Sequence, residues 1–274
     1  MEPQESQRLP KIVALYRHPV KGFTPEQRES LTVMPNGRVS GDRVLVFRYA
    51  DAPQPNELGW MPKANYAVLS NTPGGAKAKL HFDEARQRLS IDFGPGAPGV
   101  AEAGLDEEGR SKLAHAVASF ALAQEFSPLH GHPGKLPLTL VGDMDREHFH
   151  DSAEGRVTLF SRESLCALGE ALHDPDMDGR RFRANIVIEG VSEWAELGWA
   201  GKRVRIGRLV FEAVKPVVRC VATHANPVTG ERDCDVMNTL TRVFGHEKPS
   251  FAVSLDCISG GGEVHVGDEV TVEG

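Results

Sequence analysis

The residues best suited to chemistry gather in one run, Val214-Lys215-Pro216-Val217-Val218-Arg219-Cys220-Val221-Ala222-Thr223, which leads into Asn226-Pro227-Val228-Thr229-Gly230. Cys220 directly follows Arg219 and lies near Lys215. Positive charge beside a thiol favours the thiolate, the form that attacks or ligates a metal. A small buried side chain next to a solvated cation is the competing reading of the same pair. The other cysteines, Cys166, Cys234 and Cys257, are too few and too dispersed for a disulfide scaffold, and neither a C-x-x-C pair nor ferredoxin-type spacing occurs. Cys166, beside Leu165, is expected on the buried face of a helix, Cys257 at the end of an apolar strand, and Cys234 exposed in a charged turn.

Two histidine pairs invite a metal reading: His148 and His150 before Asp151, and His130 with His132. Alternating histidines without a third ligand at a defined spacing read as surface or turn residues rather than a zinc site. No G-x-G-x-x-G opens a helix after a strand, and no G-x-x-x-x-G-K-[ST] is present, so a dinucleotide or P-loop nucleotide site of those types is not expected.

The 274 residues carry 31 Lys plus Arg against 38 Asp plus Glu, a net charge of −7. Diffuse attraction to nucleic acid is therefore not expected, and an anionic ligand must meet a local cluster of cations. No run reaches the roughly 18 apolar residues of a membrane span. The opening MEPQESQRLP has two acids and no apolar core, unlike a secretory signal. The composition predicts a soluble, cytoplasmic protein with no membrane or nucleic-acid partner.

These side chains must be positioned by short elements. Ile12–Tyr16, Val44–Phe47, Leu89–Ile91, Ile186–Ile188, Leu209–Val214, Phe251–Leu255 and Val270–Val272 read as strands, rich in β-branched residues and bounded by turn signals. Val264 and Val266, then Gly267-Asp268, then Val270 and Val272 suggest a hairpin, as do Val204 and Ile206 before Gly207 with Leu209 and Phe211 after it. Asp106 can cap a helix over about 106–124 whose Leu113, Val117 and Phe120 share a face, and Ser161 a second with Leu165, Leu168 and Leu172. The composition loosens at 51–59, 94–104 and 129–137. The expected class is mainly β with accessory helices (α+β), with a boundary near 125–136 across which a barrel-like fold can share strands.

The ordered motifs resemble the MOSC family, the molybdenum-cofactor sulfurase C-terminal domain. Phe182-Arg183-Ala184-Asn185 stands for its F-R-P-N, and Val217-Val218-Arg219-Cys220 for C-x-R-C. Asn226-Pro227-Val228-Thr229-Gly230 stands for D-P-x-T-G, and Val266-Gly267-Asp268 for the terminal V-G-D. Phe149-His150-Asp151-Ser152 is similar to its F-x-D loop. His18-Pro19-Val20-Lys21-Gly22 and Gly41-Asp42-Arg43 look like the Y-P-V-K-S and G-D-R of the family's companion N-terminal β-barrel domain. In its two-domain form the chain is similar to the mitochondrial amidoxime-reducing component family.

That resemblance implies two β-barrel-like domains, 11–130 and 131–274, with a molybdenum cofactor (molybdopterin) held between them. It assigns Cys220 to the metal and to catalysis, and Lys21, Gly22, Arg43, Asp151, Ser152, Arg183, Asn185 and Arg219 to the cofactor. Arg offers a planar fork of donors and Lys a movable charge, which suits an anionic phosphate and dithiolene. Asn185 can donate and accept to a pterin edge. Val217 replaces the first Cys, so a vicinal Cys pair is not expected. The implied reaction is reduction of N-hydroxylated or other N-oxygenated small molecules, with electrons from a separate reductase. The alternative is a cofactor or sulfur carrier using a Cys220 persulfide. Lys21 as a Schiff-base lysine is not expected, because no companion pyridinium-binding pattern occurs.

Overall fold

The computed structural model describes residues 9–53, 61–95, 98–143 and 148–273. Most of the opening segment read as lacking a leader, most of the loosened stretch 51–59 and residues 96–97 of 94–104 lie outside the described residues. The elements run β1 (Lys11–Arg17), β2 (Glu26–Arg28), β3 (Ser30–Val33), β4 (Val46–Arg48), β5 (Lys79–Asp83), β6 (Arg88–Asp92), β7 (Val100–Gly104), α1 (Glu107–Leu122), β8 (Thr139–Val141) and β9 (Val157–Ser161). There follow α2 (Arg162–Ala171), β10 (Ile186–Glu189), β11 (Arg203–Ile206), β12 (Leu209–Val218), α3 (Val236–Arg242), β13 (Ser250–Cys257), β14 (Gly262–His265) and β15 (Val270–Glu273). The protein is mainly β with accessory helices. Among the described residues, no helix is long and apolar enough to cross a membrane.

Eight strands make one sheet in the order β15-β11-β12-β13-β9-β10-β1-β2. β9 and β10 pair in parallel across α2, because a parallel connection needs a crossover element. Among the described residues, no ladder closes this sheet into a barrel; it bends back on itself until Lys11 bridges Glu269. There the Ile12 N–H donates to Asp268 O at 2.9 Å and the Gly267 N–H to Ile12 O at 2.9 Å. The two expected β-barrel-like domains do not close among the described residues: this edge contact is as far as the large sheet curls, because a full ladder between its ends is missing. Leu15, Leu159, Ile186, Ile188, Phe211 and Leu255 fill the bend. Since β1 and β2 belong to this sheet, strands are shared across the expected boundary near 125–136.

A smaller antiparallel sheet, β5-β6-β7, lies with α1 over a second core of Leu80, Phe82, Leu89 and Ile91 against Leu113, Val117 and Phe120. Asp106 accepts from the Gly109 N–H at 2.7 Å, and Glu107 and Glu108 sit in the first turn, where the helix dipole favours negative charge.

The Val204–Phe211 hairpin forms, with Ile206 opposite Leu209 around Gly207. The one expected at Gly267-Asp268 does not: β14 pairs with β3, and β15 with β11. Period-two alternation identifies a strand and its inward face but not its partner. Here the turn's backbone bonds go to β1 instead. Cys166 is exposed rather than buried, because α2 turns Ser164 and Leu168 inward and leaves position 166 outside. Cys234 is half-buried rather than exposed, packs against the core containing Phe160 and Leu240, and has its thiol pushed up to about 11, chiefly by burial.

Candidate functional site

Five separated segments converge on one cleft, and backbone geometry aims each of them. β12 delivers the Cys220 run. Its pairing with β13 shifts register between Ala213 and Lys215 and again between Pro216 and Val218. Such bulges re-aim side chains, and one of them accommodates a proline that cannot donate to the ladder. Arg219 then anchors through its N–H to Pro249 O at 2.8 Å. Cys220 caps a 3-10 turn, Val221–His224, and its carbonyl accepts from the Thr223 N–H at 3.0 Å and hydroxyl at 2.9 Å. The residue is half-buried and lines the cleft.

Two arginines reach the same place from left-handed backbone. Arg43 and Arg183 both have φ of 53°, a region unfavourable for a residue with a Cβ and found mostly where surrounding structure enforces it. For Arg183, the enforcing element is the 3-10 turn Gly179–Phe182, which Asp178 caps and Arg183 ends. For Arg43, the backbone N–H donates to His18 O at 2.6 Å and its carbonyl accepts from Phe149 N–H at 2.7 Å, so this turn clamps the 18–23 and 149–152 segments together. Gly22 has φ of +87°, and a Cβ there would lie 2.8 Å from Val68 Cα, so glycine alone fits where the chain turns after Lys21.

The main cavity, about 790 Å³, is lined by Arg43, His150, Asp151, Ser152, Arg183, Arg219 and Cys220 together with Lys215, Pro216, Val217 and Val218. A side chamber of about 40 Å³ adds Lys21 and Gly22 and shares Arg43, Asp151, Arg183 and Cys220 with it. The structure thus brings together all the expected site residues except Asn185. That residue is buried below the floor: its amide donates to Tyr16 O at 3.2 Å and Asp42 Oδ2 at 3.3 Å, and its Oδ1 accepts from the Thr158 N–H at 3.2 Å. With its amide engaged, Asn185 braces the floor instead of offering an edge to a ligand.

Electrostatics set the character of the cleft. Lys21 Nζ donates to Asp151 Oδ1 and to Phe149 O, both at 2.7 Å. Arg43 donates to Asp42 and to Arg183 O, Arg183 to Phe23 O, and Arg219 to Phe182 O. Cations therefore outnumber carboxylates around Cys220: Lys21, Arg43, Arg183, Arg219 and Lys215 line the cavity and its side chamber with Asp151, while Asp42 lies behind Arg43. Desolvation, with Arg43 nearby, pushes Arg183 down to about 9, and desolvation pushes Arg219 to about 10; both remain protonated at neutral pH. Arg183 Nη2 and Arg219 Nε are buried without a hydrogen-bond partner among the described residues. Desolvation in the cleft opposes the Asp151 charge, but Lys21, Arg43 and Arg183 hold its pKa far below the ordinary carboxylate value. Burial opposes Asp42 too, and is outweighed by Arg43, His150 and His18. His18 is driven the other way, to about 3, by burial and by Arg43 and Arg183.

Sequence reasoning missed Asp42 as a hub and treated His150 as a surface group. His150 is buried, with Nε2 3.2 Å from Asp42 Oδ2. A buried acid needs donors, but those of Asp42 come from residues 18, 43, 150 and 185, so no local spacing announces the cluster. Arg181, which also lines the cavity, bonds Asp233 at 2.8 Å and His224 O at 3.1 Å, while Asn226 donates to Asp233 at 2.5 Å. This network holds the Asn226–Gly230 turn, whose Gly230 packs on Gly74: a Cβ would lie 2.8 Å from Gly74 Cα. Among the described residues, no group of three His, Cys, Asp or Glu is placed to hold a metal ion.

Residues 146–271 match the MOSC domain family. Molybdenum cofactor sulfurase of Anopheles gambiae is 30% identical over 102 residues, covering 34% of this chain and 13% of that protein. Its Drosophila grimshawi counterpart is 33% identical over 100 residues, 36% of this chain and 12% of that protein. The chain therefore spans only about an eighth of the length of these relatives. The YUAD protein of Bacillus subtilis, a solved structure, aligns over 97% of this chain and 96% of its own at 12% identity, with a TM-score of 0.40. The segment that contributes Asp151, Arg183, Arg219 and Cys220 to the cleft is thus a MOSC domain, carried by this chain over residues 146–271.

Proposed function

We propose that the cleft binds a molybdenum-bearing pterin cofactor, with Cys220 as the thiolate ligand, and that the protein reduces N-hydroxylated or related N-oxygenated small molecules using electrons from a separate reductase. The observation that carries this reading is the convergence of Lys21, Arg43, Arg183 and Arg219 around Cys220, in a lining where cations outnumber carboxylates. The residues present fit such a group. Arg183 Nη2 and Arg219 Nε are buried donors lacking acceptors, and an unpaired buried donor costs about 1–3 kcal/mol until a ligand supplies one. A soft thiolate suits molybdenum, and the cavity is within the usual size range for a cofactor site.

When bound, the group supplies a two-electron redox centre suited to removing oxygen from nitrogen. The chain's own residues do the rest. Arg183 and Arg219 fix the anion by charge-assisted hydrogen bonds, the strongest class available to them. Lys21 exchanges its Asp151 contact for the ligand, and Asp151 with Ser152 faces the substrate side. Cys220 is held at the waist between cavity and side chamber by its carbonyl bonds to Thr223. Pro216, Val217 and Val218 give the substrate an apolar wall that limits water.

A second reading is favoured by the name of the curated relatives: Cys220 carries a persulfide or passes cofactor to another enzyme. Protein purified from a cofactor-competent host separates the two. Stoichiometric molybdenum, with reduction of a hydroxylamine or amidoxime by a viologen donor, supports the reductase. Protein-bound sulfane sulfur without molybdenum supports the carrier.

A further inference from the structure

Arg181 and Arg219 cross each other, and Cys220 sits inside the crossing. Arg219 immediately precedes the cysteine and reaches over to the 3-10 turn Gly179–Phe182, where its Nη2 donates to Phe182 O. Its Nη1 donates to Phe251 O at 3.5 Å, and its guanidinium lies 5.7 Å from the Phe182 ring, which is stacked on Phe251 at 3.7 Å. Arg181, in the same 3-10 turn, reaches back the other way. Its Nη1 donates to His224 O at 3.1 Å, and its Nη2 to Asp233 Oδ2 at 2.8 Å. His224 ends the 3-10 turn that Cys220 caps. The cysteine is therefore tied down on both sides, at 219 by a guanidinium that its own segment supplies and at 224 by one that its segment receives.

Arg181 has the attributes of a brace. It lines the cavity yet is only 3% exposed, and both terminal nitrogens are engaged by the protein. Its acceptors are themselves fixed. Burial opposes the Asp233 charge, but bonds from Arg181 and Asn226 hold its pKa below the ordinary carboxylate value. The Asp233 N–H also donates to His224 O, at 3.2 Å. Arg181, His224 O and Asp233 thus form a closed ring of bonds at the far end of the Cys220 turn. A planar guanidinium spanning two acceptors sets their separation, which the single ammonium of a lysine does only in part.

We propose that Arg181 is a positioning residue for Cys220, holding the 220–224 turn so that the cysteine stays where the main cavity and the side chamber meet. The proposal rests on Cys220 as the working thiol, which the reductase and carrier readings share. A thiolate ligand and a persulfide alike need their sulfur held in one place by a supporting shell.

Alkylation of cofactor-free protein by iodoacetamide, followed at each cysteine by mass spectrometry, tests this role. Exposed Cys166, on α2 and outside the ring, is the internal reference. A half-buried thiol reacts through local opening, so removing a pin raises its rate, whereas general unfolding raises that of every cysteine. In Arg181→Met the Cys220 to Cys166 labelling ratio is expected to rise about 10- to 100-fold, the worth of a charged hydrogen bond. Arg181→Lys, which keeps the charge and one bond, should fall between that variant and wild type. If Arg181→Met does not fold, Asp233→Asn at a partly exposed position should raise the ratio in the same direction. An unchanged ratio in folded Arg181→Met, or in Asp233→Asn where that replaces it, overturns the proposal. So does molybdenum loss from cofactor-loaded Arg181→Met at an unchanged ratio, which would make Arg181 a ligand contact. If the ratio responds but wild-type protein from a cofactor-competent host holds no molybdenum, the positioning role stands and the metal reading falls.

Discussion

In the β5-β6-β7 sheet beneath α1, alternate residues turn inward and every inward position used above, from Leu80 to Phe120, is hydrophobic. In the cleft at the end of β12, the convergent side chains are arginines, lysines, carboxylates and the buried His150, and two of the arginines hang from left-handed backbone. The first region follows pattern and propensity at each position and serves stability. The second violates them at Arg43 and Arg183, and gathers like charge that folding alone would disperse. Such violations are tolerated where a ligand recovers the cost.

Acid should separate the regions most strongly. His18 is fully buried and its pKa falls from 6.5 to about 3. The unfolded chain therefore binds more protons than the native one between those values, and stability falls as pH drops through this window. At about 1.4 kcal/mol per pKa unit, His18 alone accounts for up to ~4–5 kcal/mol by pH 3, with His148 adding in the same direction. The depressed carboxylates Asp42 and Asp151 contribute stability above about pH 3.8 that is lost only below it. Urea midpoints measured from pH 7 to pH 4 test this: the wild-type chain should weaken steadily, and His18→Gln should flatten the dependence. An unchanged slope in that variant would assign the loss elsewhere.

Leu89→Ala, in the hydrocarbon region, is expected to cost about 2–5 kcal/mol in denaturant unfolding, since Leu89 is fully buried. Cofactor content of the protein that remains folded should not change. A loss of molybdenum at native stability would show that the two regions are coupled. Arg183→Met reverses the pattern with a smaller effect on the fold. It removes the bond to Phe23 O but also an under-compensated cation, so unfolding should shift by about 1 kcal/mol or less. Cofactor binding should weaken about 10- to 100-fold, the worth of a charged hydrogen bond.

This contrast also explains what could be read in advance. Strands at Ile186–Ile188 and Phe251–Leu255, the Asp106 and Ser161 caps and the Gly207 hairpin are local signals, carried by periodicity and by residues within four positions of one another. The motif residues Lys21, Gly22, Arg43, Asp151, Ser152, Arg183, Arg219 and Cys220 could be named because their order resembles a family, and they do share one cleft. The Gly267 turn could not be assigned, because its partners in β1 lie more than 250 positions away. Asn185 and His150 were misjudged for the same reason. Each owes its role to Asp42, more than 100 positions distant, and a side chain's partner decides whether it is a ligand, a brace or a surface group.

The central claim is that the cations and Cys220 form one anion-holding, metal-ligating centre. Molybdenum and pterin should be quantified together in wild-type and Cys220→Ser protein, purified from a cofactor-competent host and matched for thermal stability. The account predicts about one molybdenum and one pterin per wild-type chain, with molybdenum lost from the variant at unchanged stability. Equal molybdenum in both proteins, or none in either despite an active cofactor supply, would contradict it.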